Sequence, residues 1–195
     1  MAPWQTLPMR ERELDLSRIW TEEEYLALGE TDIRYELIGW KLQVSPPPSR
    51  PHQGISRYLA NFLEPAARSA GFRVFEAIGI RLSPGDIVSP DVAVGKLGWE
   101  GGAAAASDVV LMVEVTSPSN ARSDRVTKKE LYAASGIPWY LLVEPGKPDL
   151  LSVALHLYRL EHGRYVQHAV ARHGQILRSD DPFPISVDTT RLIMP

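Results

Sequence analysis

Val109-Val110-Leu111-Met112-Val113-Glu114-Val115 is an apolar run with a single carboxylate inside it. Its reading decides the fold. A valine-rich run of this length without polar alternation has the form of a strand covered on both faces. Alternate side chains of a strand share a face, so Glu114 points with Met112 and Thr116 and away from Val113 and Val115. A glutamate so placed faces packed protein or a cleft. An isolated ionised carboxylate in apolar surroundings is strongly disfavoured unless it is paired, protonated or bound to a metal. The bland alternative is a strand end emerging into solvent, where a glutamate costs little.

Working outward, Ser89-Pro90-Asp91 opens a second short apolar stretch, Val92-Ala93-Val94. Ser-Pro-Asp before a strand is ordinary turn chemistry. Asp91 gains weight because strands over 91–94 and 109–116 are consecutive and fit as neighbours in one sheet. Two carboxylates within ~4–6 Å repel, raising one pKa unless a cation or a lysine sits between them. A helix is expected over 121–135, and on it Asp124, Lys128 and Tyr132 are spaced to share one face. Read blandly, these are a solvated ion pair worth ~0.3–0.5 kcal/mol and a core tyrosine. Arg122, Arg125 and Lys129 add positive charge to the same segment, where a phosphate backbone could dock. Two carboxylates and a lysine at one sheet edge are the parts needed for metal-assisted cleavage of a phosphodiester.

The rest of the chain supplies a frame. Thr21-Glu22-Glu23-Glu24 has the form of a capped helix start. Ile33–Ile38 and Lys41–Ser45 read as a hairpin across Gly39-Trp40, followed by a proline-rich connector over 45–51. Ile55, Leu59, Phe62, Leu63 and Ala66 mark a helix over 52–70 closed by Gly71, with Pro65 as a potential kink or early end. Further strands are expected over 72–82 and 138–143, a turn at Pro84-Gly85-Asp86 and a loop over 95–107. Ser152–Arg159, Arg164–Ala171 and Gln175–Arg178 read as an antiparallel meander. The domain organisation expected is a flexible extension over 1–16 and one α/β (α+β) domain over 17–195, a mixed central sheet flanked by helices with a C-terminal antiparallel β extension.

Composition narrows the function classes. The 195 residues contain no cysteine, which excludes disulfides and thiolate metal sites. The net charge of −3 counts against a purely nucleic-acid-binding module. It does not count against an enzyme, because a divalent cation offsets clustered acids. The N-terminus lacks the apolar core of a secretory signal, and no stretch approaches the ~18 apolar residues of a membrane span, so a cytoplasmic protein with no membrane association is expected. Nucleotide-binding glycine loops, GxSxG and HExxH are absent. His156, His162, His168 and His173 lack metal-ligand spacing and read as surface or structural. From the residues alone, Glu36 and His52 read as surface or capping positions.

The order of these pieces resembles the Uma2 family of restriction-endonuclease-like proteins. The resemblance is carried by Thr21-Glu22-Glu23-Glu24-Tyr25, Tyr35-Glu36-Leu37-Ile38, a Ser-Pro segment leading to His52, Ser89-Pro90-Asp91-Val92, Val113-Glu114-Val115-Thr116-Ser117-Pro118-Ser119, Asp124-Arg125 with Lys128 and Tyr132, and Gly136-Ile137-Pro138-Trp139-Tyr140. It spans about residues 20 to 190. Gly39-Trp40 departs from the Asp-Gly turn common in the family. The resemblance implies the PD-(D/E)XK nuclease fold, with Asp91 as the acid of the PD element and Glu114 as the second metal-binding acid. Thr116 stands where the usual lysine would, and Lys128 resembles a lysine that has migrated to the next helix. Glu36 would be an acid contributed from an early element.

The expectation is therefore a metal-dependent DNA endonuclease. Asp91, Glu114 and the Val115 carbonyl would hold Mg²⁺ or Mn²⁺ through oxygen ligands. Lys128 would act on the attacking water or the transition-state charge, supported by Glu36, Tyr132, Asp124, His52 and Thr116. A homodimer would suit cutting both strands of a duplex. The open alternatives are a catalytically inactive nuclease-fold protein that binds nucleic acid or assembles, and a small-molecule phosphodiesterase.

Overall fold

A computed structural model describes residues 14–29, 31, 33–45, 47–99, 102–116, 123–146 and 151–193, without the side chains of 123–125. The elements that position the site are α1 (Glu22–Leu26), β1 (Arg34–Ile38), β2 (Lys41–Ser45), α2 (Arg50–Ser69), β3 (Arg73–Glu76), β4 (Ile80–Ser83), β5 (Asp86–Val88), β6 (Val92–Gly95), β7 (Ala104–Ala105), β8 (Val109–Val115), α3 (Lys129–Ala134) and β9 (Trp139–Pro145). They are followed by β10 (Val153–Glu161), β11 (Arg164–Ala171), β12 (Ile176–Ser179) and β13 (Ile185–Asp188).

The valine-rich run is β8, inside a six-stranded sheet of order β11-β10-β9-β8-β6-β3. It pairs antiparallel with β6 and parallel with β9. A parallel neighbour needs a crossover, and the segment containing α3 supplies it. Both faces of β8 are covered. Val113 and Val115 pack with Ile55, Leu59 and Leu63 of α2, while Met112 packs with Tyr132 and Tyr140 on the other side. This is why the run lacks polar alternation: each side of the strand meets apolar protein.

A five-stranded sheet of order β2-β1-β5-β4-β7 stands beside it, holding Leu37, Leu42 and Ile87 against Trp20. The β1–β2 turn is Gly39-Trp40, with φ of 58° and 64°. Two successive left-handed residues match the twist of a tight hairpin, so the turn forms without the Asp-Gly pair. Thr21 and Glu24 form the reciprocal capping box expected at the start of α1.

Several expectations are corrected. The strand expected over 72–82 is two, with β3 in the larger sheet and β4 in the smaller. The break falls at Ala77, whose φ of 54° turns the chain out of the first sheet. β5, β7 and β13 were not foreseen, and the loop over 95–107 contains β7 and a 3₁₀ turn at Ala106–Asp108. Pro65 neither ends nor shortens α2: it lies on the exposed face and the helix continues to Ser69. The helix expected over 121–135 is a π-helical turn, Ser123–Lys128, followed by α3, with 121 and 122 outside the described residues. The C-terminal meander divides: β10 and β11 extend the main sheet, and β12–β13 form a separate ribbon. Of the extension expected over 1–16, residues 1–13 lie outside the described residues, while Leu14 packs against the Trp20 cluster.

Candidate active site

The β6–β8 register pairs Val92 with Val113. Continued by one residue, it sets Asp91 beside Glu114, and directly opposed residues of an antiparallel pair share a face. The Val115 N–H donates to Asp91 Oδ2 at 2.8 Å, tying the turn before β6 to the end of β8. The two acids are thus brought to one sheet edge by backbone pairing. Glu114 is 2% exposed and Asp91 8% exposed.

Lys128 comes from the end of the π-helical turn, where the chain passes over the β8 edge into α3. Its Nζ donates to Glu114 Oε1 at 3.2 Å and to Glu36 Oε1 at 3.0 Å. Glu36 lies on β1 of the other sheet and also accepts the Ser89 N–H at 2.8 Å. Tyr132, one helical turn beyond Lys128, donates its hydroxyl to Glu114 Oε1 at 2.6 Å. The lysine therefore bridges acids from both sheets, close to the Ser89-Pro90-Asp91 turn. A buried ion pair of this kind is retained only when hydrogen bonds satisfy its members, and these do.

Asp91 has its own partners. His52 Nε2, in the first turns of α2, lies 3.1 Å from Oδ2, and Arg34 Nη1 lies 3.6 Å from Oδ1. Arg34 Nη2 also donates to the Ser89 carbonyl, and to the Pro90 carbonyl at 3.2 Å. Burial pushes the Asp91 carboxyl up, but His52, the Val115 N–H and Arg34 together hold it below its ordinary value. Burial pulls the His52 imidazole down, and the Asp91 hydrogen bond and charge outweigh it, leaving His52 above its usual value. For Glu114 burial wins: despite Lys128, its carboxyl is pushed up to about 7, with Asp91 and Glu36 adding repulsion. Burial also raises the Tyr132 phenol well above its ordinary value. Two adjacent carboxylates thus have proton affinities driven apart, a pattern common at functional sites.

A divalent cation fits this donor set. Asp91 and Glu114 offer carboxylate oxygens, the ligands that Mg²⁺ and Mn²⁺ prefer. Among the described residues no three acidic or histidine side chains form a ready-made cage. A site of this kind takes few protein ligands and leaves the remaining positions to substrate and water, as Mg²⁺ does.

The sequence-derived residues fare unevenly. Asp91, Glu114, Lys128, Glu36, Tyr132 and His52 converge. Val115 joins them through its N–H. Thr116 is buried just past the end of β8, its N–H bonded to Val143 O at 2.8 Å. The Asp124 side chain lies outside the described residues. Arg34 was missed, although it stands two residues before Glu36 on β1 and so shares its face. His52 and Glu36, read from the residues alone as surface or capping positions, are both buried.

The chain belongs to the Uma2 family, described as "Putative restriction endonuclease", whose model matches residues 22–191. Among solved structures it is similar to the crystal structure of a "putative nuclease belonging to DUF820" from Anabaena variabilis ATCC 29413. The TM-score is 0.67 at 17% identity, covering 88% of this chain and 96% of that one. At that identity the likeness establishes the fold: a mixed α/β architecture shared with a nuclease-like protein. No curated protein matches the chain. Among the described residues no helix is long and apolar enough to cross a membrane.

Proposed function

We propose that the protein is a metal-dependent DNA endonuclease whose centre is the Asp91–Glu114 pair with Lys128. The observation that carries this reading is the ammonium of Lys128 held between Glu36 and Glu114 at the sheet edge where Asp91 stands. Family membership supports the reaction class. Asp91, Glu114 and the Val115 carbonyl would hold Mg²⁺ or Mn²⁺. When bound, the cation supplies Lewis acidity and charge neutralisation at the phosphodiester.

The chain's own residues do the rest. Lys128 places a positive charge and a donor where negative charge builds on the phosphate, and it orients the attacking water. Glu36 and the Ser89 N–H keep that ammonium from swinging into solvent. Tyr132 fixes the Glu114 rotamer through Oε1. A second copy of the chain would bring a second site to the opposite strand of a duplex, which makes a homodimer the fitting assembly.

Purified protein should nick or cut plasmid DNA with Mg²⁺ or Mn²⁺ and stop with EDTA. Asp91→Ala, Glu114→Ala and Lys128→Ala should each abolish cleavage in folded protein. Retention of wild-type cleavage by all three would remove this assignment. A second reading draws on the same contacts: Lys128 partners Glu36 and Glu114, while His52 and Arg34 partner Asp91, so the acids are neutralised without a cation. That favours a nuclease-fold protein without turnover. Calorimetry with Mn²⁺ separates the two, since that reading requires no binding at Asp91 and Glu114.

A further inference from the structure

The sequence places His52 in the first turns of α2, just after Pro51, and the Ser49 side chain accepts its backbone N–H. The helix start thereby delivers the imidazole to the inside of the protein. It is 8% exposed, and its Nε2 lies 3.1 Å from Asp91 Oδ2. Its other ring nitrogen, Nδ1, is buried and has no hydrogen-bond partner among the described residues. A buried polar atom left bare is a standing cost, and natural structures keep one only where something else requires the arrangement.

An ionised carboxylate can only accept, so Nε2 must carry the proton in this pair. Oδ2 of Asp91 then receives two N–H groups, from His52 and from the Val115 backbone at 2.8 Å. Two donors on one oxygen fix the side-chain rotamer and use that oxygen's lone pairs. Among the described residues Oδ1 meets the Arg34 guanidinium alone, at 3.6 Å, beyond hydrogen-bond length. Among the described residues the carboxylate is therefore asymmetric, with both hydrogen bonds on Oδ2 and none on Oδ1.

We propose that His52 is a positioning residue that selects Asp91 Oδ1 as the oxygen presented to a divalent cation, by holding Oδ2 through its Nε2–H. The inference rests on the metal-site reading above and adds to it the oxygen used and the side chain that determines it. Bare Nδ1 is the accompanying cost: the ring satisfies Asp91 and leaves its second nitrogen unmatched. His52 itself makes no bond to the cation in this arrangement. It acts through Asp91, as outer partners of ligating carboxylates do.

The test compares two amides of different reach. The Gln Nε2 stands as many bonds from Cβ as the His Nε2, so His52→Gln keeps a donor for Oδ2. The Asn amide nitrogen stands where Nδ1 stands and falls short, so His52→Asn loses it. Mn²⁺ affinity is measured by calorimetry on wild type, H52Q, H52N and H52L, each with its melting temperature. H52Q should bind within a few-fold of wild type, while H52N and H52L should bind about 10–100-fold more weakly. The comparison of the two polar variants stands even if H52L fails to fold. Equal binding by H52N and wild type overturns the assignment, and so does an H52Q as weak as H52N. Wild type silent toward Mn²⁺ overturns the metal reading along with it, whereas wild-type binding with an indifferent H52N overturns this assignment alone.

Discussion

Lys128 and Glu36 stand 92 positions apart in sequence and 3.0 Å apart in space. The lysine comes from the crossover between β8 and β9, and the glutamate from the first strand of the smaller sheet. Their contact ties the two sheets together at the point where Glu114 leaves the β8 edge. Removing Lys128 leaves Glu36 and Glu114 buried without the ammonium that they share.

Lys128→Ala should consequently destabilise the protein by roughly 3–5 kcal/mol, the usual cost of stranding a buried partner. Urea unfolding at pH 8 would show it as a lowered midpoint. At pH 5, where Glu114 is already largely protonated, the loss should be smaller. An equal loss at both pH values would mean that Lys128 acts through packing.

Glu114 gives the protein a pH-dependent stability with a definite sign. Its folded pKa is raised from 4.5 to about 7, so the folded state binds more protons than the unfolded state within that window. Stability from this group therefore falls as pH rises from about 4.5 to 7 and is level above. Glu114→Gln should lack that fall. With EDTA present, its stability relative to wild type should climb across the window by on the order of a few kcal/mol. A variant-minus-wild-type difference that does not change with pH would contradict the raised pKa.

Tyr132→Phe keeps the ring, which packs against Tyr140, and deletes the hydroxyl that Glu114 accepts. About 1–3 kcal/mol of stability should be lost, because Glu114 Oε1 keeps its lysine but not its phenol. Mn²⁺ affinity should drop about 10-fold or more as the Glu114 rotamer loosens. Calorimetry and thermal melts read the two effects separately.

The hairpin that carries Glu36 depends on a close approach. Gly85, at φ 82°, lies so near Trp40 that a Cβ would stand 2.5 Å from the indole ring. Gly85→Ala should cost more than about 1 kcal/mol by melting temperature, from backbone strain and the displaced ring together. A melting temperature equal to wild type would show the turn to be free to move.

Much of this was legible in the sequence because it depended on local periodicity. The face assigned to Glu114 needed only strand alternation, and the strand pairing that sets Asp91 beside it needed only consecutive short strands. The spacing of Lys128 and Tyr132 survived even though a π-helical turn replaced the first part of the expected helix. Arg34 was missed, and Glu36 and His52 were named only through the family resemblance, for a common reason: each lies on an element whose partner is distant in sequence. Glu36 looks like a surface acid until β1 is set against the Ser89 turn, and His52 looks like a cap until α2 is laid across the main sheet. The split of the strand over 72–82 was equally silent. Alternation continues through Ala77, and an alanine gives no sign of a left-handed backbone.

Asp91, Glu114 and Lys128 are proposed to make a metal-dependent nuclease centre. The most direct measurement is supercoiled-plasmid cleavage in Mn²⁺ by wild type and by the three alanine variants, each shown to be folded by circular dichroism. Wild type should give nicked or linear DNA, none with EDTA, and each variant should give none. Cleavage by all three variants at the wild-type rate, or none by wild type in either Mg²⁺ or Mn²⁺, would contradict this assignment.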